Sequence, residues 1–235
     1  MTDVLVAVSQ NNIEEGLCLC IGKREQYELI RSGVDINTIK MEANAANIVE
    51  IKERDLGISR ESKVVLSIGP FKIQKDPVSF VDIASMVLKE VPETIFLWAG
   101  TGELHQQVVS QIDKYEIRGN VQLLGWRDDI VDLLKICDVF VLTSLWEGLP
   151  RAGVEALIVG KPVVAFAVNG VPEIIKNNQN GFAIPPGKKV DFAKRVIEIL
   201  KDEKLYKKLS ENAAKTIDES FDINIMVEQQ EKLYD

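Results

Sequence analysis

Residues 144–186, SLWEGLPRAGVEALIVGKPVVAFAVNGVPEIIKNNQNGFAIPP, constrain this chain more than any other stretch. Gly148-Leu149-Pro150 interrupts the apolar run DVFVLT (138–143), and a helical pattern over Arg151–Val159 follows at once. A loop that delivers a helix N-terminus leaves several backbone N–H groups unpaired and aimed at one spot, which suits a phosphate. Glu147 and Glu155 are eight residues apart, a little over two helical turns, so the spacing predicts that both carboxylates lie on one side. The stretch therefore describes an anion cradle with a carboxylate at each end. That chemistry fits a nucleotide sugar, whose hydroxyls lie at both ends of a pyrophosphate.

From Lys63 onward, apolar runs alternate with helical patterns. VVLSI (64–68), IFLWA (95–99), VQLL (121–124), DVFVLT (138–143), PVVAFA (162–167) and GFAI (181–184) are short and rich in β-branched residues, as strands buried on both faces of a parallel sheet are. Between them, sets such as Phe80, Ile83, Ala84, Val87 and Leu88 repeat at three- and four-residue spacing. The expected fold is an α/β, Rossmann-like, doubly wound parallel sheet, with its ligand outside the carboxyl ends of the strands. Helices are expected at 189–201, 203–217 and 222–234. Residues 58–220 read as the nucleotide-binding domain and 221–235 as a C-terminal helix. Residues 1–57 read as a strand (VLVAVS), a helix, the segment YELIRSGVD, and a polar stretch from Met41 to Leu56 that is linker plus a first helix.

Composition excludes several classes. The chain has 235 residues and a net charge of −8, which argues against nucleic-acid binding. No apolar run reaches the roughly 20 residues of a membrane span. Cys18, Cys20 and Cys137 form neither a disulfide framework nor a zinc site, and Cys18 and Cys20, in GLCLCIG, are expected to be packed and reduced. The expected compartment is the cytoplasm, with contact at the cytoplasmic membrane face through another domain left open. AGTGELHQQV (99–108) lacks the third glycine of a dinucleotide fingerprint. His105, the one histidine, is expected to be exposed, and no Ser-His or Cys-His pair supports a hydrolase.

The order E-G-L-P-x4-E, G-K-P-V-V-A, N-G-V-P-E and N-G-F-x-I-P-P-G resembles the donor-binding half of family 4 glycosyltransferases, which have the GT-B fold. The resemblance runs strongly from Val64 to Leu200. YELIRSGVD is similar to the segment leading out of the family's acceptor-binding half, so residues 1–57 resemble a remnant of that half plus linker. For the whole enzyme the resemblance implies hexosyl transfer from a nucleoside diphosphate sugar with retention of configuration, and no metal held by an aspartate pair. The acceptor, a glycan or lipid, would bind through the half that is absent from these residues.

The resemblance also implies roles. Glu155 would accept hydrogen bonds from ribose hydroxyls, and Glu147 would hold donor-sugar hydroxyls and stabilise developing positive charge. Lys75, in GPFKIQKDP (69–77), matches the lysine that contacts phosphate. The arginine that usually follows the glycine is Pro70 here, and Lys72 is a second cation in the same loop. Gly69, Gly100, Gly148, Leu149 and Pro150 would frame the donor, and Trp126 and Arg127 of GWRDD (125–129) would border the nucleobase. Arg127 has an alternative as a salt bridge to Asp128 or Asp129. Those two aspartates read as first-turn helix carboxylates rather than metal ligands. Gly170 is expected to permit a tight turn and Glu173 to cap the following helix. Two rivals remain: a non-catalytic donor-binding subunit completed by a partner chain, and a GT-B nucleotide-sugar epimerase. Apolar area around Val4–Val8 and Ile223–Leu233 favours self-association or a partner chain.

Overall fold

A computed structural model describes residues 3–234, apart from the side chains of Val49 and Arg54. The chain opens with β1 (Leu5–Ala7), α1 (Gln10–Cys18), β2 (Tyr27–Leu29), α2 (Ile36–Ala45) and α3 (Ile48–Glu50), which runs into a π-helical turn over Ile51–Asp55. There follow β3 (Val64–Ile68), α4 (Pro77–Leu88), β4 (Ile95–Ala99), α5 (His105–Lys114), β5 (Val121–Gly125), α6 (Ile130–Ile136), β6 (Val139–Leu142) and α7 (Arg151–Ile158). The rest is β7 (Val163–Phe166), α8 (Val171–Ile174), β8 (Gly181–Ile184), α9 (Lys189–Lys201), α10 (Glu203–Thr216) and α11 (Ile223–Tyr234).

Six strands form one parallel sheet in the order β5-β4-β3-β6-β7-β8. All residues of β6 and β7 are buried, as a sheet covered on both faces requires. Helices α4, α5 and α9 cover one face, and α2, α6 and α7 the other. Phe80 meets Phe96 and Trp98 edge-to-face at centroid distances of 5.7 and 4.9 Å, and Phe166 meets Phe192 at 5.1 Å. Such aromatic pairs add to the area term of burial.

Polar side chains trim the strands at both ends of the runs. The Val64 N–H donates to Asp138 Oδ2 at 2.8 Å, so Asp138 is turned to a neighbour rather than continuing β6. At the other end Thr143 Oγ1 donates to the carbonyls of Lys75 and Asp76 at 2.9 and 3.0 Å. Asp76 has a left-handed backbone, φ 42°, and its carboxylate accepts from the Ser79 N–H while Pro77 opens α4.

The first residues make a separate two-stranded parallel sheet, with Leu5 opposite Tyr27 and Ala7 opposite Leu29. Ala7, Ile13 and Ile30 are buried under it but lie outside the main apolar core, which begins with Val34. The Val34 N–H donates to the Phe221 carbonyl at 2.9 Å and its carbonyl accepts from the Ile223 N–H at 3.0 Å, so the C-terminal segment crosses back to the first strands. Helix α2 starts at Ile36, earlier than the sequence reading of Met41–Leu56 allowed. Its Ile36 and Ile39 join the core, and little linker is left.

Cys18 and Cys20 are both exposed, contrary to expectation. GLCLCIG is not a packed element: α1 ends at Cys18, Cys20 takes φ 58°, and Leu19 and Ile21 are 65 % and 51 % exposed. Val4 and Val6 nearby, and Val227 and Tyr234 on α11, are exposed as well, which matches the apolar surface expected at the two chain ends. Cys137 is buried, and burial pushes its thiol up to about 12. Titration of the native protein with a thiol reagent near neutral pH should therefore label Cys18 and Cys20 quickly and Cys137 only after denaturation. Three fast thiols would contradict this packing.

Candidate functional site

The strand order reverses between β3 and β6, and the loops that leave their carboxyl ends diverge there. In an open parallel sheet this is where a ligand crevice forms. The loop after β3 (residues 69–76) and the loop after β6 (residues 143–150) are stitched together. The Leu145 N–H donates to the Gln74 carbonyl at 2.8 Å, and Gln74 Nε2 donates to the Trp146 carbonyl at 3.1 Å.

Inside this seam Lys75 Nζ donates to Glu147 Oε1 at 2.5 Å, and Ser144 Oγ donates to the same oxygen at 2.6 Å. Glu147 is only 6 % exposed. The two predicted catalytic side chains, 72 residues apart in sequence, are therefore in direct contact. The eight-residue spacing does not act through a continuous helix, since α7 starts only at Arg151 and Glu147 sits in the loop before it.

No side chain caps α7, whose N-cap is Pro150. Among the described residues the backbone N–H groups of Gly148, Leu149, Arg151 and Ala152 meet no protein acceptor, so a cluster of donors stands free beside Lys75 and Glu147. Glu155, one turn into α7, has no hydrogen-bond donor among the described residues. Burial raises its carboxyl above the usual range, partly offset by Arg151. Lys72 is exposed, and no carboxylate among the described residues pairs with it.

A cavity of about 400 Å³ adjoins this seam, lined by Gly69, Pro70, Gly100, Trp126, Arg127 and Ile130 among others. The loops after β3 and β4 form its floor at very close range. Gly100 has φ 148°, and a Cβ there would lie 2.0 Å from the Gly69 carbonyl oxygen. Trp98 Nε1 donates to that same oxygen at 2.7 Å. At the rim, Trp126 is 83 % exposed. Arg127 is bound to Asp129 through two hydrogen bonds, Nε to Oδ1 at 2.7 Å and a second from Nη2 to Oδ2. These hold the guanidinium above and the Asp129 carboxyl below their ordinary values. Arg127 thus makes the salt bridge to Asp129 that its sequence neighbours allowed. Asp129 is the N-cap residue of α6, yet its carboxylate serves Arg127 instead of the helix. Among the described residues no group of three or more His, Cys, Asp or Glu is placed to hold a metal ion. His105 is exposed and lies edge-on to Phe71.

The NGVPE loop does more than shape a wall. Its left-handed residue is Asn169, φ 38°, while Gly170 has an ordinary backbone; a Cβ on Gly170 would fall 2.1 Å from the Gly148 carbonyl oxygen. The Glu147 N–H donates to Asn169 Oδ1 at 3.0 Å. Glu173 accepts from the Asn11 N–H at 3.0 Å and pairs with Arg31 at 3.3 Å, so it ties α8 to the first elements rather than capping a helix. The sequence reading passed over Asn169; its one signal is Asn-Gly, a pair favoured where the chain turns.

The model of the family described as glycosyl transferases, group 1, matches residues 49–216. This chain belongs to that family. An Escherichia coli protein named UDP-Gal:alpha-D-GlcNAc-diphosphoundecaprenol alpha-1,3-galactosyltransferase is 33 % identical over 212 residues, 89 % of this chain and 54 % of the relative. The N-acetyl-alpha-D-glucosaminyl L-malate synthase of Bacillus anthracis is 26 % identical over 99 % of this chain and 59 % of its own length. The chain thus spans little more than half the length of these relatives. Among solved structures, HepE of Anabaena in complex with UDP and glucose superposes with a TM-score of 0.86 at 24 % identity, over 99 % of this chain and 62 % of that one. The six-stranded parallel sheet is that of the GT-B glycosyltransferases.

Breaking a buried pair by removing one partner leaves the other uncompensated. We expect Lys75→Met to destabilise the fold by about 2–3 kcal/mol, and Lys75→Met with Glu147→Leu to recover part of that loss in urea unfolding. Lys72→Met should be neutral in the same assay. Equal effects of the two single lysine variants would contradict the assigned contacts.

Proposed function

We propose that this chain is the donor-binding part of a retaining, family 4-like hexosyltransferase that uses a uridine diphosphate sugar. The observation that carries the reading is the Lys75–Glu147 pair, buried at the point of strand reversal between a cluster of free backbone donors and an apolar cavity. Each part suits one portion of the ligand. The cavity beside Trp126 and Arg127 takes the base, and Glu155, a half-buried carboxylate in need of donors, takes the ribose diol. Lys75 and the N–H groups of Gly148, Leu149 and the start of α7 take the diphosphate, and Glu147 takes sugar hydroxyls.

In transfer, negative charge grows on the leaving diphosphate as the anomeric bond breaks. Lys75 and the uncapped α7 N-terminus are donors already in place for that charge, so little reorganisation accompanies the reaction. Glu147, relieved of Lys75 as the diphosphate engages it, is free to turn to the sugar, where its negative charge stabilises an oxocarbenium-like centre. On this reading no metal ion is required.

UDP is chosen because the E. coli relative is named for UDP-Gal and the HepE complex holds UDP. From the same relative we take the acceptor class, a sugar on a diphosphate-linked polyprenol, presented at the cytoplasmic membrane face. No helix among the described residues is long and apolar enough to cross a membrane. The acceptor would bind through a further domain seated on the exposed apolar strip of Val4, Val6, Leu19 and Ile21. These 235 residues alone should bind UDP without transferring sugar, because an unpositioned acceptor forfeits roughly 7–11 kcal/mol of barrier lowering. Product formed by this polypeptide alone, read by mass spectrometry, would refute that division of labour.

Thermal shift with UDP, GDP, ADP and dTDP tests the site, since a bound ligand stabilises the fold by mass action. UDP should give the largest rise, and no rise with any diphosphate would remove the reading. Calorimetry then tests the ribose contact. Glu155→Ala should weaken UDP binding by about 1.5–3 kcal/mol. The carboxylate must be ionised to accept both hydroxyls, and burial raises its pKa. Affinity of the wild type should therefore be full above that raised value and fall as the pH drops through it, whereas Glu155→Gln should bind weakly and evenly across the same window.

A further inference from the structure

Three segments meet behind the Glu147 loop: the start of α1, the 148 turn and the 169–173 turn. A Cβ on Gly148 would lie 2.8 Å from Val8 Cγ2, and one on Gly170 would lie 3.0 Å from the Ser9 Cβ as well as against the Gly148 carbonyl. Asn169 lies at their junction. Its Oδ1 accepts the Glu147 N–H at 3.0 Å, its Nδ2 donates to Glu15 Oε2 at 2.8 Å, and its backbone carbonyl accepts from Asn11 Nδ2 at 2.5 Å. One side chain thus uses its acceptor on the site loop and its donor on α1. A left-handed backbone is uncommon for a residue other than glycine, and here the neighbouring contacts hold it in place.

We infer that Asn169 is a positioning residue, which fixes the backbone of Glu147 and makes its placement depend on α1 being docked through Asn11 and Glu15. The physical argument is one of connectivity. Among the described residues the Glu147 N–H is the only backbone donor of its loop stretch that is satisfied by a side chain, and that side chain is itself held from α1. Helix α1 belongs to the small two-stranded unit, whose buried residues Ala7, Ile13 and Ile30 lie outside the main core. A shift of α1 would drag the amide of Asn169 and release Glu147. The lysine side of the seam is anchored separately, through Thr143 and the Lys75 carbonyl. The contact made by Glu147 with the sugar should therefore respond to α1 more strongly than the phosphate contact made by Lys75.

This inference rests on the donor reading of the crevice, and its test separates the two. Asn169→Gly keeps the left-handed backbone available and deletes only the side chain. In calorimetry it should weaken UDP-galactose or UDP-N-acetylglucosamine about tenfold, with UDP itself changed less than about twofold. Asn169→Asp keeps the acceptor for Glu147 but sets a carboxylate against Glu15. It should weaken the nucleotide sugar about fivefold, and adding Glu15→Gln, which restores a donor across the same gap, should recover most of that loss. A purely structural Asn169 would lower UDP and UDP-sugar binding together and would not be rescued. If the wild type binds UDP and a UDP-sugar, but Asn169→Gly leaves their ratio unchanged or Glu15→Gln gives no rescue, the inference fails alone. A wild type that binds no nucleotide overturns the donor reading and this inference with it.

Discussion

Two adjacent parallel strands that send their following helices to opposite faces of a sheet cannot also close the space between their own loops. β3 leads to α4 on one face and β6 leads to α7 on the other. Everything distinctive about this molecule is arranged around that opening. The loops after β3 and β4 are short of side-chain bulk where they approach each other, with Gly69 in the first and Gly100 and Gly102 in the second all at positive φ. The loop after β6 brings a proline and an uncapped helix end. A crevice with rigid, closely packed backbone walls and free N–H groups follows from the strand order, before any side chain is considered.

What fills the crevice is less easily explained by stability. A buried ion pair replaced by well-packed apolar residues is often no loss. Lys75 and Glu147 are nonetheless buried together, and Ser144 supplies a further donor to the same carboxylate oxygen. Glu155 is a second carboxylate whose burial works against its charge. Buried charged side chains that apolar packing could replace, grouped beside unpaired backbone donors, are the expected signature of a site shaped for an external polar ligand.

The sheet was legible in the sequence because its strands are short runs dominated by apolar residues, the pattern of strands buried in a covered parallel sheet. The reading overshot at Asp138 and Thr143, where polar side chains turn to satisfy a neighbouring backbone instead of continuing the strand. Helix α2 was read late because its buried residues, Ile36, Ile39 and Ala43, precede and overlap the polar stretch that drew attention. Cys18 and Cys20 were misread for a related reason. An apolar segment implies burial only if something covers it, and the turn at Cys20 points it outward. In the crevice, Lys75 and Glu147 could each be singled out, but their contact across 72 residues depends on two loops meeting over the sheet. Asn169 was hidden behind Gly170. The pair Asn-Gly announces a turn, but not that the asparagine rather than the glycine takes the left-handed position.

The small β1–β2 sheet gives the arrangement its asymmetry. Two strands of three residues do not stand alone in water, so the unit depends on its contacts with the rest: Arg31 with Glu173, Asn11 with Glu173 and Asn169, and the bridge from Val34 to the start of α11. Two of those three attachments land on the turn behind Glu147. The Trp126 cavity and the lysine loop lie on β3, β4 and β5, which among the described residues have no such attachment. Whatever displaces the first elements will therefore be felt at the Glu147 loop more than at the lysine loop or the Trp126 cavity.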